Sequence, residues 1–208
     1  NITPLVAYYL NATKDPDIAE QLDKVVIILN PILNPDGHDR FANWTNNHAG
    51  LNPSTDPNDR EHREPGPTGR TNYYWFDLNR DWLPHQHPES QGRLKVFHRW
   101  KPNVQLDFHE MGRDSTYFFM SGIPGRVNPL TPSINQKLTA KISEYHARAF
   151  DRDGASYYTE ETFDDFYVGK GSTYPDLFGC VGILFEQASA RGVHQETVNG
   201  LLTFKTAL

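Results

Sequence analysis

The 208-residue sequence predicts an α/β fold of three layers, α/β/α, with helices on both faces of a mixed, largely parallel central sheet. Two observations carry this. Three short runs read as strands: Lys24–Leu29, β-branched and without alternation as in a strand buried on both faces, Val104–Phe108 by length and composition, and Val181–Phe185 as another buried strand. Segments of helical period separate them, the clearest from Pro132 to about Arg152.

In chain order, Leu5 to Leu10 reads as helical, and Asp15-Pro16-Asp17 ends or restarts a helix. Lys24–Leu29 is the first strand. Asn34-Pro35-Asp36-Gly37 follows as a turn, each residue favouring one for its own reason. From His38 to Arg70 the chain is polar and rich in Pro, Asn, Asp and Gly; it reads as one long loop forming a wall of a site. Pro88 to Trp100 places Leu94, Phe97 and Trp100 at helical spacing, with proline suited to the first position. Val104–Phe108 is a strand with His109 at its end, and Thr116–Met120 a second, aromatic one.

In the long helix, Ile134, Leu138, Ile142, Tyr145 and Ala149 form one stripe, Thr131 can cap, and Gly154 stops it. Thr159 to Tyr174 is an acidic, aromatic loop. Val181–Phe185 is a buried strand ending in Glu186, and a terminal helix is expected from about Gln195, with Val198, Leu201, Leu202 and Phe204 available to pack.

The length suits one domain, and no run reaches the roughly 18 apolar residues of a membrane span. A net charge of -6 without a basic block argues against a nucleic-acid partner. The single cysteine, Cys180, forms no internal disulfide and reads as a small buried residue. His85 and His87 read as part of a solvated loop, as does the acidic run Glu160, Glu161, Asp164 and Asp165. The four tryptophans read as core or loop anchors.

In such folds ligands bind beyond the carboxyl ends of the strands. Asn34, His109 and Glu186 all stand there. The candidates for chemistry are the imidazole of His109, the carboxylate of Glu186 and the cations Arg70 and Arg80. A carboxylate beside a metal-bound water is the usual arrangement for hydrolysis, one arginine can hold an oxyanion, and another can fork onto a substrate carboxylate.

Asn34-Pro35-Asp36-Gly37, then Arg70 with Asp77-Leu78-Asn79-Arg80-Asp81-Trp82, then His109, then Phe185-Glu186 resemble the zinc metallocarboxypeptidases of the carboxypeptidase A type, in order and spacing, from about Leu5 to Arg191. The resemblance implies zinc with His109 as a ligand, Arg70 as oxyanion stabiliser, and Asn79 with Arg80 as anchor for a terminal carboxylate. It implies Glu186 as general base and Tyr167, or else Tyr174, as a tyrosine closing over a peptide substrate. The family's first two ligands come from a His-x-x-Glu pair ahead of the Asn-Pro-Asp-Gly turn. Here the first histidine is His38, and no His-x-x-Glu occurs. A catalytic zinc takes three protein ligands. The expectation is therefore a single catalytic domain missing its N-terminal part, with two ligands upstream of Asn1 and no activity of this chain by itself.

The resemblance leaves three functions open: removal of a C-terminal residue from peptides, deacylation of acylated amino acids on the same scaffold, and a non-catalytic peptide-binding module. Export to the periplasm or medium is the habit of the family; the sequence itself assigns no compartment.

Overall fold

The computed structural model describes residues 2–205. Two exposed helices open the chain, α1 (Thr3–Ala12) and α2 (Pro16–Leu22), the second capped by the Asp15 carboxylate accepting from the Asp17 and Ile18 amides. The run that follows is not a strand. Val25 to Leu29 is exposed, Val26 to 74%, and pairs with no ladder among the described residues. β-branched residues favour extended backbone, but a strand exists only with a partner.

Asn34 then starts a helix, α3 (Pro35–His48), where the sequence suggests a turn and a long loop. Its side-chain oxygen accepts from the Gly37 amide at 3.0 Å, with proline in the first turn. Asn-Pro-Asp-Gly is equally good turn and helix start, and here the cap wins. A 3-10 turn, Arg60–His62, follows. The helix α4 (Pro88–Trp100) ends on Lys101 in the left-handed region.

The sheet is β1 (Val104–Met111), β2 (Tyr117–Phe119), β3 (Tyr157–Tyr158) and β4 (Val181–Ala188), in the order β1-β4-β2-β3. The β1–β4 and β2–β3 pairs are parallel and β2–β4 antiparallel, so the sheet is mixed and mostly parallel. The register sets His109 opposite Glu186 and Phe108 opposite Phe185. Because alternate residues face opposite sides, His109 and Glu186 share one face while Phe108 and Phe185 share the other.

The face bearing Phe185 carries α5 (Ser133–Asp153). Contact comes from His146, whose ring lies 4.8 Å from Phe185 and 5.5 Å from Phe119, and from Phe150 against Tyr117 and Phe119. Of the expected stripe, Ile142 packs on the core but Ile134, Leu138 and Tyr145 are exposed. Polar anchors set the rotation instead: Asn135 and Thr139 are buried, and the Ser143 hydroxyl donates to the Met120 carbonyl. Pro132 occupies the cap position, and the Thr131 hydroxyl makes no cap bond. Gly154 ends the helix at φ 68°.

A second core joins α4 to the polypeptide beneath the site: Leu94 and Phe97 pack with Trp82, Tyr174 and Cys180. The terminal helix is absent. Residues His194–Thr197 (β5) and Gly200–Thr203 (β6) form a hairpin, closed through Val198 and Asn199 with Gly200 at φ 102°. The Asn199-Gly200 pair is the turn signal that outweighs the apolar spacing. The last part of the expected helix lies outside the described residues.

Asp176, in the 3-10 turn Tyr174–Phe178, ties three elements together. Its Oδ1 accepts from Asn135 of α5 at 2.6 Å and from the Gly182 amide of β4 at 3.3 Å, while Oδ2 is buried without a partner. Burial pushes its pKa up to about 7, and nearby Asp165 adds to this. Since the folded value exceeds the unfolded 3.8, the native state is favoured below pH 3.8 and loses that advantage as pH rises towards 7. Asp176→Asn should therefore be more stable than wild type at pH 8 by about 2 kcal/mol and no more stable at pH 4. Urea melts at the two pH values test this; a variant less stable at both would show that the carboxylate's bonds outweigh its ionisation cost.

Candidate active site

The loop from Arg70 to Trp82 is shaped by carboxylates. Asp77 Oδ1 accepts from the Asn79 amide at 2.9 Å and so caps the 3-10 turn Leu78–Arg80. Asp77 Oδ2 holds Arg70 through Nε and Nη2, both at 2.9 Å, and lies 4.0 Å from Arg80 Nη1. Asn34 reaches the same loop, its Nδ2 donating to the carbonyls of Gly69 and Arg70. The cap of α3 thus also fixes Arg70. Beneath the turn, Arg93 of α4 donates to the Leu78 carbonyl at 3.2 Å and lies 4.0 Å from the Trp82 ring centroid. Burial lowers Arg93 to about 10, which leaves it charged at neutral pH.

At the sheet, His109 Nε2 lies 3.0 Å from Asp107 Oδ1 and 2.9 Å from Asn79 Nδ2. Asp107 is two residues before His109 and so on the same face, and its side chain is 2% exposed. Desolvation works against a charged imidazole, but the bond to Asp107 and the charges of Asp107 and Glu186 override it and raise the His109 pKa. With Nε2 directed to a carboxylate, Nδ1 is the nitrogen left for a ligand, the usual second-sphere arrangement of a metal-binding histidine.

Glu186 stands across the ladder from His109. Its Oε2 is buried without a hydrogen-bond partner. Burial pushes its pKa up to about 7; the charges of Asp107 and Glu110 act in the same direction, those of His109 and Arg70 against it. A carboxyl group in that range can take a proton and return it near neutral pH.

Asn79 is fully engaged. Its Oδ1 accepts from the Gly171 amide at 2.8 Å, and its Nδ2 faces Asp107 and His109. Gly171 is required there, since a Cβ would meet Asp107 Oδ2 at 2.7 Å. Arg80, half exposed, bonds the Asn79 carbonyl at 2.8 Å and has donors to spare. Tyr167 is partly exposed, and its hydroxyl donates to the Arg80 carbonyl at 3.1 Å. Tyr174, the other candidate, is buried in the α4 core with its hydroxyl 2.9 Å from His98 Nε2.

Arg70, Asn79, Arg80, His109, Glu186 and Tyr167 are therefore linked by bonds, ladder register or mutual charge. Sequence reasoning misses Asp77 and Asp107. The signals were present: a carboxylate in front of Leu-Asn-Arg is a turn cap, and an i, i+2 pair on a strand shares a face. The expected solvated residues differ too. His87 is buried against Phe76 with Nδ1 3.2 Å from Asn72 Nδ2, and Asp165 is buried, accepting from Gln136 and Thr173. Of the tryptophans, Trp82 is core and Trp44 anchors the Arg60 carbonyl, but Trp75 and Trp100 are exposed.

Among the described residues no group of three His, Cys, Asp or Glu converges as a metal site. His109 is suited to be one ligand, and the set as described does not complete a catalytic centre.

The sequence model of the family described as zinc carboxypeptidase matches residues 2–174. No curated protein matches the chain. Among solved structures, a metallo-carboxypeptidase from Burkholderia cenocepacia is similar, with 20% identity and a TM-score of 0.44 over 65% of this chain. The match covers 34% of that structure, so the chain spans about a third of its length.

Proposed function

The chain belongs to the zinc carboxypeptidase family, and from that premise we propose that it is the catalytic part of a metallocarboxypeptidase that hydrolyses the C-terminal peptide bond of peptides. One observation supports this above the rest: Glu186, half-buried with one buried, unpartnered oxygen and a pKa of about 7, lies opposite His109 at the carboxyl ends of two parallel strands.

The family is zinc-dependent, and a bound zinc supplies acidification of water and polarisation of a carbonyl. The reading calls for two ligands beyond His109, which the described residues do not furnish together. The chain's own residues divide the remaining work. Glu186 takes a proton from the attacking water and returns it to the leaving amine. Arg70, whose charge already acts on Glu186 and His109, faces the developing oxyanion. Arg80 supplies the charge that grips the terminal carboxylate, and Asn79 positions Arg80's loop against His109 and Gly171. Tyr167, tethered by one bond to Arg80, closes over the bound residue.

The deacylase reading shares the carboxylate grip. Comparing turnover of peptides, their C-terminal amides and acylated amino acids by a form of the protein with a complete zinc site separates the two. Peptides with a free terminus should be preferred over amides by about 100-fold, with Arg80→Met reducing that preference; faster turnover of acylated amino acids would move the assignment to deacylation.

Zinc binding is a further test. The 208-residue chain is expected to bind zinc weakly and in less than one equivalent, and His109→Ala to lower that binding further. One tightly bound equivalent would place a complete ligand set within this sequence.

A further inference from the structure

Tyr167 does not stand free above Arg80; its ring lies on a glycine two residues further along the chain. A Cβ placed on Gly169 would fall on the Tyr167 ring and hydroxyl, so the phenol fills the space that any larger residue would claim. Gly169 is buried while Tyr167 is 41% exposed, the ring forming the cover and the glycine the floor. The φ of Gly169 is not positive, so the backbone by itself does not call for glycine here. The phenol does.

The two sides of this contact differ in freedom. The Gly169 carbonyl accepts from the Trp82 amide at 3.1 Å, and the Gly171 amide donates to Asn79 Oδ1 at 2.8 Å. Between them, the Lys170 carbonyl accepts from the amides of Thr173 and Tyr174. Lys170 is 8% exposed, and its Nζ donates to the Asp164 carbonyl at 2.7 Å and carboxylate at 3.0 Å. The floor is thus main chain, fastened to the loop that carries Asn79 and Arg80. The ring is the far end of a side chain, and its hydroxyl is tied by a bond of 3.1 Å to the Arg80 carbonyl. A methyl group at position 169 therefore moves the phenol before it moves the backbone.

This bears on the anchor. A tyrosine free in solvent samples several rotamers, and a ligand that closes it down bears the cost of ordering it. A tyrosine resting on Gly169, with its hydroxyl on the Arg80 carbonyl, is ordered beside the guanidinium before any ligand arrives.

We propose that Gly169 is a positioning residue for Tyr167: its bare backbone is the seat that holds the phenol at Arg80 in the empty site, and so lowers the cost of closing over a carboxylate-terminated residue. The seat follows from the contacts alone, whereas its benefit to the substrate rests on the carboxypeptidase reading. Gly169 acts only through the ring, so its substitution has no effect on binding once the ring is gone.

The seat is tested by fluorine NMR of the 208-residue chain labelled with fluorotyrosine, the Tyr167 resonance being identified by its loss in Tyr167→Phe. In Gly169→Ala that resonance is expected to move towards the position of free fluorotyrosine and to narrow. The other tyrosine signals should stay in place, and the urea midpoint within about 0.3 M of wild type. A Tyr167 signal unchanged by the substitution, or already at the free position in wild type, would overturn the seat. Movement of many tyrosine signals together would do the same, since the backbone would then have yielded instead of the ring. The benefit is read by fluorescence titration with dansyl-Gly-Ala-Phe, its C-terminus free or amidated. Gly169→Ala is expected to weaken binding of the free form about threefold and to change nothing in a Tyr167→Ala background. An equal loss in both backgrounds, or none in either, overturns the positioning role. If amidation does not weaken the peptide, or neither form binds, the carboxypeptidase reading fails at Arg80, while the fluorine signal still decides the seat.

Discussion

In a form of the protein with a complete zinc site, replacing Glu186 with glutamine is expected to lower kcat for release of a C-terminal residue by about 1,000-fold while peptide affinity stays within about twofold. Glutamine keeps the size and one acceptor of the side chain but cannot take a proton. The buried Oε2 without a partner marks a group held ready for exchange rather than one fastened into a structural bond. Its pKa of about 7 arises chiefly from burial, so the amide also relieves a desolvation cost, and the variant should melt no lower than wild type. Parallel measurement of kcat, peptide Kd and urea midpoint separates chemistry from folding. A kcat within tenfold of wild type would remove Glu186 from the proton transfers.

Gly182→Ala should cost about 3 kcal/mol of stability. A Cβ at Gly182 would fall on the carbonyl group of Ser172, with the carbonyl carbon at 2.8 Å and Pro175 Cδ at 3.5 Å. Both sides of this contact are main chain. β4 is locked between β1 and β2, and Ser172 and Thr173 are fully buried in a segment held by amide bonds to Lys170. Relief requires moving residues 171 and 172, and with them the amide that fixes Asn79. Loss of stability and weakened binding of carboxylate-terminated peptides should therefore appear together. A urea midpoint equivalent to less than about 1 kcal/mol of destabilisation would mean that the segment yields.

Where the sequence is most readable, one local signal agrees with tertiary demand. Pro88 starts α4, Gly154 ends α5, and the apolar runs that became β1 and β4 are those with partners. Val25–Leu29 is more apolar than β1 and pairs with no strand among the described residues, which its own residues cannot reveal. The α5 stripe misleads because Asn135, Thr139 and Ser143 are buried for their hydrogen bonds, and hydrophobic period is blind to such anchors. Of the site, the residues that carry charge are legible as motif members. Asp77 and Asp107, which orient them, are legible only once the cap and the strand face are known.

Asp77 has a further consequence for turnover. Its Oδ2 stands with Arg70 and within 4.0 Å of Arg80, serving as an internal stand-in for the anion that the proposed substrate brings. Both guanidinium groups thus have a fixed anion beside them without drawing one from solvent. On the proposed function, a substrate carboxylate at Arg80 would share that cation with Asp77, which would moderate its affinity. The same sharing would let the cleaved amino acid of the proposed reaction, still carrying its carboxylate, leave without stranding a bare positive charge.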